Sequence, residues 1–304
     1  MKALPTPSDD TLRGAALLVG SCVFFASMNA IIRHLSAELS SFEIVFFRNS
    51  VALVVMLPWL ARFGFGALRT RRLGALAGRS VLGFLAMILW FWSLGTLKLD
   101  HAVALSFTAP LFTTITAVVI LKEPIRFRRV VALAVGFAGV LVILRPGAVP
   151  LELASFAAIL SSAFMALSIV LMKSLTATES AGTLVFYQAL LITPISLVPA
   201  LFAWQWPSLE AWFWLILLGT FASVGHYLFT RAFASAEATA LMPFDYVRLP
   251  MVAALGYVAF GDLPDLWTWA GGAVILASSV YVAHREALAR RAQAAAPLMR
   301  AGSA

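Results

Sequence analysis

The chain has 304 residues, 62% of them hydrophobic and 12% charged, with a formal net charge of +8. Soluble domains carry about 45–50% apolar and about 25% charged residues, so this composition excludes a water-soluble globular protein and points to an integral membrane one. A lone cysteine, Cys22, excludes an intramolecular disulfide and a cysteine-based metal cluster, and basic residues dispersed between apolar runs do not make a nucleic-acid surface.

Residues 1–13 form a polar, proline-bearing tail unlike a signal peptide. A spanning helix needs about 20 mostly apolar residues to cross about 30 Å of hydrocarbon. Ten runs meet that demand, in order Gly14 to Ile32, Phe42 to Ala61, Ser80 to Leu97, Ala102 to Leu121, Arg128 to Leu144, Leu153 to Met172, Ala181 to Ala203, Ala211 to Thr230, Ala238 to Phe260 and Leu266 to Ala283. Most arginines and lysines then fall on the side of the two termini: Arg13, the group from Arg62 to Arg79, Lys122 with Arg126, Arg128 and Arg129, Lys173, Arg231 and the C-terminal arginines. The positive-inside rule places that side in the cytoplasm, and Trp204, Trp206, Trp212, Trp214, Trp267 and Trp269 make an aromatic belt on the other. The expected location is a bacterial-type inner membrane, with residues 285–304 as a cytoplasmic tail.

The chain repeats itself. Ala102-Val-Ala-Leu105 matches Ala238-Thr-Ala-Leu241, the elbow Glu123-Pro124 matches Asp262-Leu-Pro264, and Gly139 falls where Ser278 does. Phe46-Phe-Arg48 lies opposite Phe186-Tyr-Gln188, and Gly83 opposite Gly219. The repeats are 14–145 and 152–284. With five helices in each, the second enters the membrane from the opposite side, the inverted duplication typical of secondary transporters. The expected fold class is therefore an all-α integral membrane protein of ten transmembrane helices in two inverted five-helix repeats.

On the Glu123-Pro124 elbow with Gly139, its second copy from Asp262 to Ser278, Pro110, and Phe46-Phe-Arg48, the chain resembles the drug/metabolite transporter superfamily, EamA type, from about Thr11 to His284. Within it the chain is most similar to bacterial amino acid exporters, including the aromatic amino acid exporters of the YddG type. Two departures stand out: Ser278 replaces a glycine and Asp262 a glutamate.

Polar groups inside a bilayer are costly and become candidate sites. Asp245 and Arg248 lie three apart between Pro243 and Pro250, either facing a cavity on a kinked gating helix or neutralising each other as a structural lock. Pro110 is the corresponding kink of the first repeat. Arg48 is a candidate for a substrate carboxylate or, structurally, a partner for Glu43. His226 is either a proton-coupling group or a hydrogen-bonded packing residue. Trp90, Phe91, Trp92, Tyr187, Tyr227 and Tyr246 with Asn29 and Gln188 have the composition of a mostly apolar pocket with orienting polar groups, suited to aromatic amino acids, threonine or methionine. The small residues Gly136, Gly139, Gly271 and Gly272 suit close helix packing, within the chain or in a dimer.

A primary pump is excluded by the lack of a phosphate-binding GxxxxGK[ST] loop, and an enzyme by the lack of HExxH, GxSxG or paired intramembrane carboxylates. No cofactor or metal is called for. A secondary carrier of amino acids, or of drugs or other small metabolites, remains. Its partners are the solute and the lipid bilayer, with monomer and dimer both open.

Overall fold

Two serines at matching positions start matching helices. Ser40 (φ −67°, ψ 155°) accepts from the Glu43 amide while the Glu43 carboxylate accepts from the Ser40 amide, a complete capping box. Ser180 (φ −73°, ψ 155°) accepts from the Thr183 amide in the same way. Around these starts the chain forms α1 (Thr11–Leu35), α2 (Ser41–Val55), α3 (Leu57–Phe63), α4 (Leu73–Thr96), α5 (Ala109–Leu121), α6 (Phe127–Leu144), α7 (Leu153–Leu175), α8 (Ala181–Ala200), α9 (Leu209–Ser235), α10 (Ala238–Asp245) and α11 (Arg248–Phe260). This computed structural model describes residues 11–97, 102, 105–106, 108–123, 127–144, 152–261, 266–267, 269–274, 277–278 and 281, the last four groups being helical. Residues 1–10 of the N-terminal tail, the C-terminal tail, Pro124 and Asp262 to Pro264 lie outside the described residues.

Six helical stretches are long and apolar enough to cross a bilayer: Thr11–Leu35, Ser41–Phe63, Leu73–Thr96, Leu153–Leu175, Ala181–Ala203 and Leu209–Ser235. At 1.5 Å per residue, α1 is about 37 Å long. Where the fourth and ninth spans are expected, the described residues form shorter helices, α5 in the first case and α10 with α11 in the second, while α6 covers the expected fifth span. Val23, Val54, Ile115, Val119, Leu160, Ile216 and Val258 point outward and exposed, which water would penalise and lipid favours.

The prolines act differently from the kinks expected of them. Pro110 sits in the first turn of α5 behind a turn at Thr108, and Pro250 in the first turn of α11, where a missing N–H costs nothing. Of these three, only Pro243 lies in the interior of a helix, α10. The ninth span is thus broken at Tyr246 and Val247, not bent.

Packing follows the duplication. The most extensive pairings are α1 with α9 and α4 with α7, which exchange when the halves are swapped, and α2 with α8, which maps onto itself. The exchanged pairs use different small residues. A side chain at Gly225 of α9 would meet Phe24 and Phe25 of α1 at 3.1 Å. Between α4 and α7, serines bond across: Ser161 to the Ala86 carbonyl (2.8 Å), Ser93 to that of Ala154 (2.9 Å) and Ser168 to that of Arg79 (3.2 Å). The Ser278 hydroxyl also donates to the Ala132 carbonyl (2.7 Å), joining the expected fifth and tenth helices.

Each end of the bundle is tied across the halves. At the Ser40 end, Glu43 accepts from the Gln205 amide, and Glu38 accepts from the Ser208 amide (2.7 Å) and hydroxyl (2.9 Å). At the Ser180 end, Thr183 donates to the Ala67 carbonyl (2.9 Å), Tyr187 to that of Leu68 (2.7 Å), Thr70 to Glu179 (2.8 Å) and Arg72 to Ser174 (2.9 and 3.1 Å).

Candidate functional site

Cys22, Phe25 and Asn29 recur at spacings of three and four, so they stack on one face of α1. That face meets a different helix at each turn. Asn29 Oδ1 accepts from Trp90 Nε1 of α4 at 3.4 Å. The Phe25 ring stands edge-on to His226 of α9, with centroids 5.1 Å apart. Cys22 Sγ lies 3.9 Å from Asp245 Oδ1 of α10. Asp245 Oδ2 in turn accepts from Arg248 Nη2 at 3.2 Å, across the break in the ninth span. Next to it the Tyr246 ring is wholly buried and fills the space a side chain at Gly136 of α6 would need.

A second polar group lies between α2, α4 and α8. Arg79 of α4 is 4% exposed; its Nη1 donates to the Leu184 carbonyl (3.0 Å) and its Nη2 to Gln188 Oε1 (2.7 Å), both on α8. Arg48 of α2 is 2% exposed; its Nη1 donates to Asn49 Oδ1 (3.1 Å) and approaches Met87 Sδ (3.4 Å). Neither arginine has a carboxylate partner among the described residues, and the Nε of each is buried without any partner. Placing an arginine at mid-bilayer costs about 2.5–3.5 kcal/mol, so two without counter-charges stand out against the neutralised Asp245–Arg248 pair.

The residues singled out in the sequence divide accordingly. Asn29 and Trp90, His226, Asp245 with Tyr246 and Arg248, Arg48, and Gln188 all line the interior between the halves. Tyr227 does not join them: its hydroxyl accepts from Arg231 (3.2 Å), and it packs beside Met56, Leu60 and Phe186. Trp92 is 41% exposed and faces outward. The Glu43 partner considered for Arg48 is engaged elsewhere, in the capping box and with Gln205.

Arg79 is the residue sequence reasoning misplaced. It stands just before the apolar run starting at Ser80 and reads as a loop arginine, but α4 begins at Leu73 and carries it about 9 Å inward. The signal was present: Leu73 to Gly78 are all small or apolar. Ser168 accepting no charge but bonding the Arg79 carbonyl shows how closely α7 packs there.

An all-α, multi-pass membrane protein with polar groups gathered between two related halves is the class these features define. The model of the EamA-like transporter family matches residues 12–145 and again 152–283. The chain belongs to that family; it is a transporter and not an enzyme. It is 32% identical over 280 residues to a riboflavin transporter of Vibrio cholerae, covering 90% of this chain and 94% of that one. It is 30% identical over 282 residues to an S-adenosylmethionine uptake transporter of Rickettsia bellii, covering 91% and 97%. A solved structure at 18% identity superposes with a TM-score of 0.74 over 94% of this chain and 99% of the other, and shares the fold. The relatives bear on the branch expected from sequence: neither is described as an amino acid exporter.

Proposed function

We propose that the chain is a secondary carrier of a small metabolite combining a flat ring system with a polar tail, moved by alternating access of two inverted five-helix halves, 14–145 and 152–284. The observation that carries this reading is the buried polar set of Asn29, Arg48, Arg79, Gln188 and Asp245, with half-buried His226 against Phe25, contributed by both halves and closed off by a tie at each end. Opening one tie while the other holds exposes that set to one side at a time. Trp90 and Phe25 supply ring faces, and Asn29 an orienting amide.

Riboflavin and S-adenosylmethionine, carried by relatives, both join a fused ring system to a polar chain. That chemistry favours a metabolite over the free amino acids expected from sequence, although S-adenosylmethionine carries an amino acid group itself. In this reading the Ser180 end and both termini face the cytoplasm of a bacterial-type inner membrane, because Arg62, Arg69, Arg71, Arg72, Lys122 and Arg231 lie toward that end.

Counterflow in proteoliposomes tests it, with labelled riboflavin, S-adenosylmethionine and phenylalanine run against protein-free vesicles. Accumulation of either ring-bearing metabolite supports the reading. Accumulation of phenylalanine alone, competed by threonine and methionine, returns the assignment to amino acids.

A further inference from the structure

Arg48 uses only one of its three nitrogens. Its Nη1 meets Asn49 and the Met87 sulfur, both weak acceptors within its own half, whereas Nε and Nη2 have no hydrogen-bond partner among the described residues. The Nε–Nη2 edge is the side of a guanidinium that grips a carboxylate or phosphate through two parallel N–H bonds. Here it is buried and held in place: Val51 and the Arg48 carbonyl press against Gly219 of α9, and Asn49 is anchored to the Val45 carbonyl at 2.7 Å. A fixed, desolvated fork without an acid is an unfinished ion pair.

Arg79 is the second charge, placed toward the opposite end. Arg48 lies seven residues in from the start of α2 at the Ser40 end, and Arg79 six residues in from the start of α4 at the Ser180 end. The duplication sets Gln188 where Arg48 would be, and Arg79 comes across from the other half to bond that Gln188. Each repeat position therefore has one guanidinium, supplied from α2 in one case and from α4 in the other. The difference is that Arg79 is committed across the halves and Arg48 is not.

Building on the carrier reading above, we propose that the transported solute bears an oxyanion, carboxylate or phosphate, which docks on the Nε–Nη2 edge of Arg48 and passes to Arg79 when the Arg79–Gln188 bond opens. Solutes bearing an oxyanion are then taken in preference to counterparts with the same ring that lack it.

The test uses the full chain in lipid nanodiscs and three pairs, each differing by one oxyanion: S-adenosylmethionine with its decarboxylated form, riboflavin 5′-phosphate with riboflavin, and phenylalanine with phenylalaninamide. Ligand-induced stabilisation against heat is read for wild type, Arg48→Gln, Arg48→Lys and Arg79→Gln. The expected result is that, in at least one pair, the member bearing the oxyanion stabilises wild type at concentrations at least tenfold below its counterpart. Arg48→Gln abolishes that preference, and Arg48→Lys, which keeps the charge but loses the fork, retains part of it. Whether the responding pair carries carboxylate or phosphate identifies the oxyanion. Arg79→Gln is expected to keep the binding preference and lose counterflow of the same solute. Equal response to both members of every pair, no response to any oxyanion-bearing member, or a preference that survives Arg48→Gln overturns the inference. Counterflow of a neutral solute alongside any of those results leaves carriage standing; an Arg48-dependent anion response without counterflow of any solute removes carriage and leaves the site.

Discussion

Cys22 Sγ lies 3.9 Å from Asp245 Oδ1, so the sole cysteine of the chain touches the acidic residue at the break of the ninth span. Cys22 is fully buried. A membrane-impermeant thiol reagent therefore reaches it only when one end of the bundle opens, which makes it a native reporter of alternating access.

That reporter tests the end ties. Glu38 and Glu43 hold the Ser40 end through charge-assisted bonds to Ser208 and Gln205, each such bond worth about 1.5–3 kcal/mol. The Glu38→Gln, Glu43→Gln double variant is expected to raise the labelling rate of Cys22 from that side about tenfold or more, since about 1.4 kcal/mol is a factor of ten. Thr70→Val with Glu179→Gln, which removes the bond at the other end, should raise labelling from the opposite face instead. Equal effects on both faces would show that the ties hold the fold and do not gate it.

Asp245 and Arg248 compensate each other at 3.2 Å. Removing one partner of a buried pair leaves an uncompensated charge, at a cost of about 3–5 kcal/mol, while removing both is often near neutral. Asp245→Asn and Arg248→Gln should each lower the melting temperature of the purified protein, and the double variant should recover most of it. Counterflow is expected to stay low in the double variant, because the polar surface facing Cys22 is gone. Recovery of transport together with stability would assign the pair a structural role alone.

How far the sequence went depended on what kind of signal each feature leaves. The starts of α2 and α8, expected at Phe42 and Ala181 and found at Ser41 and Ala181, are legible because helix starts are set by local chemistry: Ser40 with Glu43 and Ser180 with Thr183 satisfy amides within three residues of themselves. The all-α spanning class follows from composition. The inward positions of Arg48, Asp245 and Gln188 also follow, since a polar group inside an apolar run has nowhere else to go. What could not be read were the partners. Cys22 reaches Asp245 across 223 positions and Arg79 reaches Gln188 across 109, and nothing local encodes either meeting. Trp92 looked equivalent to Trp90 for the opposite reason: aromatic side chains are accepted by lipid and by a site alike, and only the two-residue offset, about 200° around the helix, separates their faces.

Gly219 gives a test of how tightly Arg48 is held. A side chain there would overlap Val51 and crowd the Arg48 carbonyl, which are backbone-proximal atoms with little room to yield. Gly219→Val is expected to destabilise the protein by about 1–3 kcal/mol, the usual cost of overpacking, and to reduce transport further than stability alone explains. Gly78→Ala, where nothing lies within 4 Å of an added Cβ, is the control and should leave both near wild type.

Lys173 closes α9 from outside that helix. Its ammonium donates to the carbonyls of Phe233 and Ala236, both at 2.6 Å, satisfying acceptors that the end of an α-helix leaves without a partner. The same carbonyls face the start of α10, whose Ala238 amide is held by Glu123 at 3.1 Å, so one lysine and one glutamate fix the turn that aims Asp245 inward. Bonds to a charged donor are worth about 1.5–3 kcal/mol. Lys173→Met keeps the length and apolar stem but removes both, and should destabilise by about that amount. Lys173→Arg should recover part of the loss. Hydrogen exchange distinguishes this local role from a global one: the amides from 233 to 241 are expected to exchange faster in Lys173→Met while those of α1 and α4 hold their protection. Uniform loss of protection across the bundle would mean that the lysine supports the whole fold, and that the turn into the ninth span is positioned by its packing against α1 and α5 instead.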